Sequence, residues 1–173
     1  LIPVEDCVIT LTHLGYIKRQ PVDVYKSQRR GGRGISGMTT REEDFVETLF
    51  IGSTHDYVLF FSNRGRVYRL KCYEIPESSR TARGVNVVNL LPLEPEEKIT
   101  SMIRVEEFRD DHYLVMVTKN GIIKRTELSA YHTTRKGGVI AISLDEGDDL
   151  AWVRLTDGNC EVFKKKKNGM IIR

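Results

Sequence analysis

The 173-residue sequence is poor in the features that mark metal, disulfide and membrane proteins. Its three cysteines, Cys7, Cys72 and Cys160, lie far apart, form no C-x-x-C pair and are odd in number. A disulfide framework is not expected, and reduced thiols in a cytoplasm fit best. The four histidines, His13, His55, His112 and His132, are equally scattered, without H-x-x-x-H spacing, so no metal site is expected. No apolar run nears the ~18 residues of a membrane span, and one of the longest, Val85 to Leu93, is broken by Asn and Pro. G-x-S-x-G, the P-loop lysine motif and H-E-x-x-H are missing, and the acids cluster in turns rather than pairing across a pocket. No catalytic residue and no cofactor site are expected. The chain opens Leu1-Ile2-Pro3 with neither Met nor a basic-then-apolar leader, which suggests a piece of a longer protein.

What is there is a repeat. A run of β-branched and aromatic residues, a polar turn ending in Gly and a second, basic run occur at Val8 to Arg19, at Tyr57 to Arg69 and at Tyr113 to Arg125, and begin again at Lys167 to Arg173. Each reads as a β-hairpin whose glycine (Gly15, Gly65, Gly121, Gly169) takes the positive φ of the turn, and these glycines lie 50, 56 and 48 residues apart. In phase with them come Arg33-Gly34-Ile35, Arg83-Gly84-Val85 and Gly137-Gly138-Val139. An apolar strand after an acidic turn also recurs, at Asp44 to Phe50, Glu97 to Ile103 and Asp149 to Leu155. Units beginning near 8, 57, 113 and 160 thus hold about four strands each and little that reads as helix; Thr40 to Phe50 reads as loop into strand. The expected class is all-β, a propeller-like array of four-stranded blades with about three blades and part of a fourth. Trp152, Tyr25, Tyr73 and Tyr131 are expected in blade cores, and Pro76, Pro92 and Pro95 between strands.

Net charge is only +3, but it is unevenly distributed. Lys26 to Arg41 holds five basic residues and no acid, and Arg64 to Arg83 holds six against Glu74 and Glu77, whereas Glu94 to Asp111 and Asp145 to Asp149 are acid-rich. Cations recur after the hairpin glycines as Lys18 and Arg19, Arg66, Arg69 and Lys71, Lys124 and Arg125, and before the later glycines as Arg80, Arg83, Arg135 and Lys136. Lined up along one edge, they would suit a surface that reads a nucleic-acid backbone rather than base edges. The tract Lys164 to Lys167 reads as a solvated edge. The densest cluster is Gln28-Arg29-Arg30-Gly31-Gly32-Arg33-Gly34, where guanidiniums offer forked donors to phosphate and glycines let backbone amides approach the same oxygens. Gly32 to Gly37 also spells G-x-G-x-x-G, but with neither the preceding parallel strand nor the following helix a dinucleotide site requires.

Gln28 to Gly34 resembles the gyrase A box, with Arg33 where the family more often has Lys, and the flanking repeats are similar to the C-terminal domain of the bacterial DNA gyrase A protein along essentially the whole chain. The resemblance implies a β-pinwheel in which neighbouring blades exchange strands and duplex DNA wraps, without sequence preference, around a basic rim; the box is needed for wrapping. It further implies that ATP and magnesium act elsewhere in the parent topoisomerase, and that the catalytic tyrosine precedes this region. The partners it implies are duplex DNA, the gyrase B protein and the rest of the gyrase A protein, in a heterotetramer of two A and two B chains. A cytoplasmic, nucleoid-associated location follows. The competing readings are the equivalent domain of topoisomerase IV, which lacks an intact box, and a propeller-like protein-interaction module, which has no need of recurring rim cations.

Overall fold

The hairpin glycines set the frame. In the computed structural model, which describes residues 1–30, 43–157, 164–165 and 171–172, with side chains for 1–27 and 43–157, Gly15, Gly65 and Gly121 have φ of 92°, 78° and 90°. They close three antiparallel hairpins: β1 (Asp6–Thr12) with β2 (Tyr16–Pro21), β4 (Tyr57–Ser62) with β5 (Arg66–Lys71), and β8 (Tyr113–Thr118) with β9 (Ile123–Glu127). The acid-led strands β3 (Val46–Ser53), β7 (Ile99–Val105) and β11 (Leu150–Thr156) pair with β1, β4 and β8 respectively, each with a register shift near one end. The first strand of every hairpin is therefore central in its sheet. Its burial does not alternate: Val58 to Ser62 and Leu114 to Thr118 are buried throughout, as strands covered on both faces must be.

Stacked sheets explain that coverage. One core cluster joins Cys7, Ile9, Leu11 and Ile17 of the first sheet to Val58, Phe60, Tyr68 and Leu70 of the second. Another joins Leu59, Phe61 and Val67 of the second to Leu114, Met116 and Leu150 of the third, with Leu128 from the turn that follows it. Phe60 and Phe61, adjacent in sequence and on opposite faces, serve different cores.

The fourth strand of a sheet comes from the following repeat. The two-residue strand β6 (Val85–Asn86) lies beyond the second hairpin but pairs with β2 of the first sheet, Ile17 against Val85 and Tyr16 against Asn86. Likewise β10 (Val139–Ile140) follows the third hairpin and pairs with β5, Val67 against Val139 and Arg66 against Ile140. The sheet orders are β3-β1-β2-β6, β10-β5-β4-β7 and β11-β8-β9. A further pair, β12 (Lys164–Lys165) with β13 (Ile171–Ile172), places two residues of the lysine tract in a strand.

The sequence reading missed one element. Helix α1 (Val22–Arg30) follows β2 directly, where the second and third repeats make only 3-10 turns at Cys72–Glu74 and Leu128–Tyr131. Val22, Val24 and Tyr25 favour strands, which hides it; Asp23 suits the positive end of the helix, and the sequence turns to glycine immediately after Arg30. Of the four aromatics expected in cores only Tyr131 is buried; Tyr25, Tyr73 and Trp152 are half-buried. Among the described residues no helix is long and apolar enough to cross a membrane.

Candidate nucleic-acid interface

The segments that carry β6 and β10 are arms, and the hairpin cations lie against them. From Ile75 the chain runs along β2: the Arg19 amide donates to the Pro76 carbonyl (3.2 Å) and the Ser78 amide to the Arg19 carbonyl (3.1 Å). The Lys18 ammonium donates to the carbonyls of Ser79 (3.3 Å), Arg80 (3.2 Å) and Ala82 (3.0 Å), so its three donors meet three acceptors of one loop. Burial pulls the Lys18 pKa below its ordinary value. Arg19, on the opposite face of β2, donates from Nε to the Ile75 carbonyl (2.9 Å).

The second hairpin repeats this with other residues. Arg66 donates to the carbonyls of Gly137 (3.2 Å) and Gly138 (3.3 Å), and Arg69 to the carbonyl of His132. Tyr68 occupies the place of Lys18 and turns inward, where its hydroxyl donates to buried Glu97 (2.9 Å and 3.0 Å). Burial, the Glu97 hydrogen bond and its charge push the Tyr68 pKa to about 12. Lys71 points to the base of its hairpin, donating to the His55 carbonyl (3.0 Å) over the Tyr57 ring at 3.9 Å. In the third hairpin Lys124 donates to the Ala141 carbonyl (2.8 Å), and Arg125 lies 3.8 Å from the Tyr113 ring.

Each arm approaches its sheet at a glycine. Gly84 (φ 94°) lies where a Cβ would be 2.4 Å from the Ile17 carbonyl oxygen, and Gly138 (φ 80°) where one would be 2.5 Å from the Tyr68 ring. Outside that seam the arms present their own cations. Arg80, Arg83, Arg135 and Lys136 are exposed; the Arg83 guanidinium is held 4.0 Å over the Tyr16 ring, and Lys136 reaches Glu74 at 4.0 Å. The structure thus gathers Lys18, Arg80 and Arg83 at the first arm and Arg66, Arg135 and Lys136 at the second, while Arg19, Arg69 and Lys71 lie on the opposite faces of β2 and β5.

The acids hold turns. Asp44 Oδ1 accepts the amides of Leu14 (2.9 Å) and Phe45 (3.0 Å), and Asp148 Oδ1 those of Asn120 (3.0 Å) and Asp149 (2.8 Å). Leu14 and Asn120 each precede a hairpin glycine, so these carboxylates fix the same turn in two repeats. Burial works to raise the Asp44 carboxyl, but the Leu14 amide, the Thr12 hydroxyl, the Phe45 amide and the Arg83 charge outweigh it and hold the pKa below the ordinary range. Sequence reading missed this role, although the spacing of the acids in phase with the hairpins signals it. Among the described residues no group of three or more His, Cys, Asp or Glu is placed to hold a metal ion. Of the box, Gly31, Gly32, Arg33 and Gly34 lie outside the described residues, and Gln28, Arg29 and Arg30 are described only as the backbone of α1. The stretch up to Arg30 is therefore a helix, not the parallel strand of a dinucleotide site.

Stacked antiparallel sheets, two of them completed by an arm of the next repeat, define a propeller-type repeat domain with exchanged strands. The family model described as the DNA gyrase C-terminal domain, a beta-propeller, matches residues 8–53, 56–106 and 112–157, and the chain belongs to that family. Over its full length it is 56% identical to the DNA gyrase A protein of Halalkalibacterium halodurans, 54% to that of Clostridium acetobutylicum and 46% to that of Mycolicibacterium smegmatis. It spans about a fifth of those relatives, 21%, 21% and 20% of their lengths. Among solved structures, the C-terminal domain of DNA topoisomerase IV superposes with a TM-score of 0.77 at 28% identity, covering 91% of this chain and 48% of that one. The DNA gyrase A C-terminal domain superposes with 0.62 at 28% identity, covering 88% and 48%.

Proposed function

We propose that this chain binds duplex DNA without sequence preference and wraps it along the rim formed by its arms, as the C-terminal part of a gyrase A protein in a type II topoisomerase. The observation that carries the reading is the recurrence, in two successive arms, of exposed cations beside a sheet seam: Arg80 and Arg83, then Arg135 and Lys136. Cations repeated on successive sheets meet phosphates at intervals along a bent duplex, where affinity comes from counterion release. The box Gln28 to Gly34 adds the densest phosphate-binding group of the chain and is assigned the wrapping role. In the parent enzyme the strand-passing tyrosine, ATP and magnesium belong to other parts of the assembly, two gyrase A and two gyrase B chains acting on the bacterial nucleoid in the cytoplasm. Identities of 46 to 56% with gyrase A sequences over the whole chain favour the gyrase assignment, while the two solved structures, both 28% identical, do not discriminate.

A binding isotherm with a mixed-sequence duplex at two salt concentrations tests the reading. With about six phosphate contacts, affinity falls by roughly a thousandfold between about 50 mM and 200 mM salt. Binding that is absent or insensitive to salt overturns it. Replacing Arg29, Arg30 and Arg33 with Ala is expected to abolish wrapping in a topology assay while a gel shift still shows binding; equal loss of both removes the special role of the box.

A further inference from the structure

We infer that Lys18, Arg19, Arg66 and Arg69 are positioning residues that latch the exchanged arms by their backbone carbonyls, and that phosphates are met by the cations of the arms, Arg80, Arg83, Arg135 and Lys136. The inference rests on the DNA-binding reading above and divides its basic residues into two kinds. The sequence presents them as one kind, cations recurring around glycines. Geometry separates them. An ammonium has three donors, and those of Lys18 point at three carbonyls between Ser79 and Ala82. A phosphate could take that ammonium only by releasing the loop. The second latch does the same work with a different residue on the same strand face, Arg66 on the carbonyls of Gly137 and Gly138. On the opposite faces, Arg19 and Arg69 hold the carbonyls of Ile75 and His132, each just beyond the 3-10 turn that begins an arm. All four latch residues are half-buried, and all four arm cations are exposed.

The first arm needs such latches because its approach to β6 buries little. Pro76, Glu77 and the run from Ser79 to Arg83 are exposed, and β6 adds only two residues to the sheet. Charge-assisted bonds to the arm's own carbonyls keep it seated where hydrophobic burial is small. Seating the arm fixes where Arg80 and Arg83 stand, so a latch residue acts on DNA through the arm.

The test combines salt dependence with hydrogen exchange on the 173-residue chain. Removing a true phosphate contact reduces the slope of log affinity against log salt by about 0.9. Arg80→Ala and Arg83→Ala are expected to do this, with exchange of the arm amides unchanged. Lys18→Met is expected to leave the slope within error, weaken binding by about threefold, and speed exchange of the Ser78 and Val87 amides about tenfold or more, because loss of a charge-assisted hold raises the open population. Lys18→Arg restores affinity and protection, as Arg66 already does at the second latch. A drop in slope for Lys18→Met equal to that for Arg80→Ala overturns the inference, and so does a Lys18→Met chain whose exchange and affinity match the parent. Failure of the parent chain to bind at low salt is a separate result and refutes the DNA reading instead.

Discussion

Gly84 sits where the first arm meets β2, and a single methyl group there separates the arm from its sheet with no change of charge. Its φ of 94° costs an L-residue about 1–2 kcal/mol. The added Cβ would lie 2.4 Å from the Ile17 carbonyl oxygen and 2.9 Å from Lys18 Cβ, against the 3.0 Å below which real contacts essentially never fall. Backbone cannot yield as a flexible side chain can, so the arm must retreat by about 0.6 Å or more, enough to stretch a β2–β6 bond toward the limit of hydrogen-bond geometry and lose about 1 kcal/mol. Gly84→Ala is therefore expected to destabilise by about 2–4 kcal/mol, a fall in melting temperature of roughly 5–15 °C for a chain of this size. Gly137 supplies the control within the equivalent motif. No atom lies within 4 Å of its Cβ position and its φ is not positive, so Gly137→Ala is expected to melt within about 2 °C of the parent or slightly above it. Calorimetry reads the stability, and exchange of the Val87 amide, bonded to the Gly15 carbonyl at 2.8 Å just beyond β6, reads the seating of the arm. A Gly84→Ala chain with parental melting and Val87 protection, or a Gly137→Ala chain equally damaged, refutes the close-approach argument.

Three further outcomes are expected. Phe60→Ala and Phe61→Ala each cost about 3–5 kcal/mol, but methyl shifts should move at Ile9 and Leu70 for the first and at Leu114 and Met116 for the second; overlapping shifts would contradict the two-core stacking. Tyr68→Phe leaves buried Glu97 with the Glu94 amide as its remaining donor and costs about 1–3 kcal/mol by denaturant titration. Because the folded pKa of Tyr68 is raised to about 12, its contribution is fully present below the unfolded value near 10 and is lost as pH rises through 12; alkaline unfolding should lose that component in the Phe variant. Asp44 has the opposite sign: its depressed pKa gives a contribution present above the unfolded value near 4 and lost as pH falls through the folded one, so Asp44→Asn should be most harmful near neutral pH and least harmful in acid.

How far the sequence could be read follows from where the information sits. The hairpins are local: a β-branched run, a turn glycine and a second run lie within about fourteen residues, and positive φ at Gly15, Gly65 and Gly121 leaves little else for them to do. The pairing of β6 with β2 is not local. Two residues have no periodicity, and the partner of Val85 is Ile17, far upstream, so only the in-phase repeat of the glycine motif marks the segment at all. Helix α1 was hidden by β-forming side chains. The cations were found, but their division was not, because neighbouring basic residues look alike in sequence until the pleat puts Lys18 and Arg19 on opposite faces of β2. Arg33 and the box glycines, the most distinctive residues in sequence, fall outside the described residues, so their assignment to wrapping rests on the family.

The third hairpin carries the same pair of cations in a different setting. Lys124 and Arg125 stand at the same distance from Gly121 as Lys18 and Arg19 from Gly15. Among the described residues the third sheet ends at β9. Lys124 there makes one carbonyl bond where Lys18 makes three, Arg125 lies on the Tyr113 ring, and both are exposed where Lys18 and Arg19 are half-buried. Lys124 thus also holds a backbone carbonyl beside an arm, that of Ala141 directly after β10. A count of basic residues in the repeats therefore overstates the phosphate contacts of this rim, because cations such as Lys18, Arg66 and Lys124 are already engaged by backbone carbonyls.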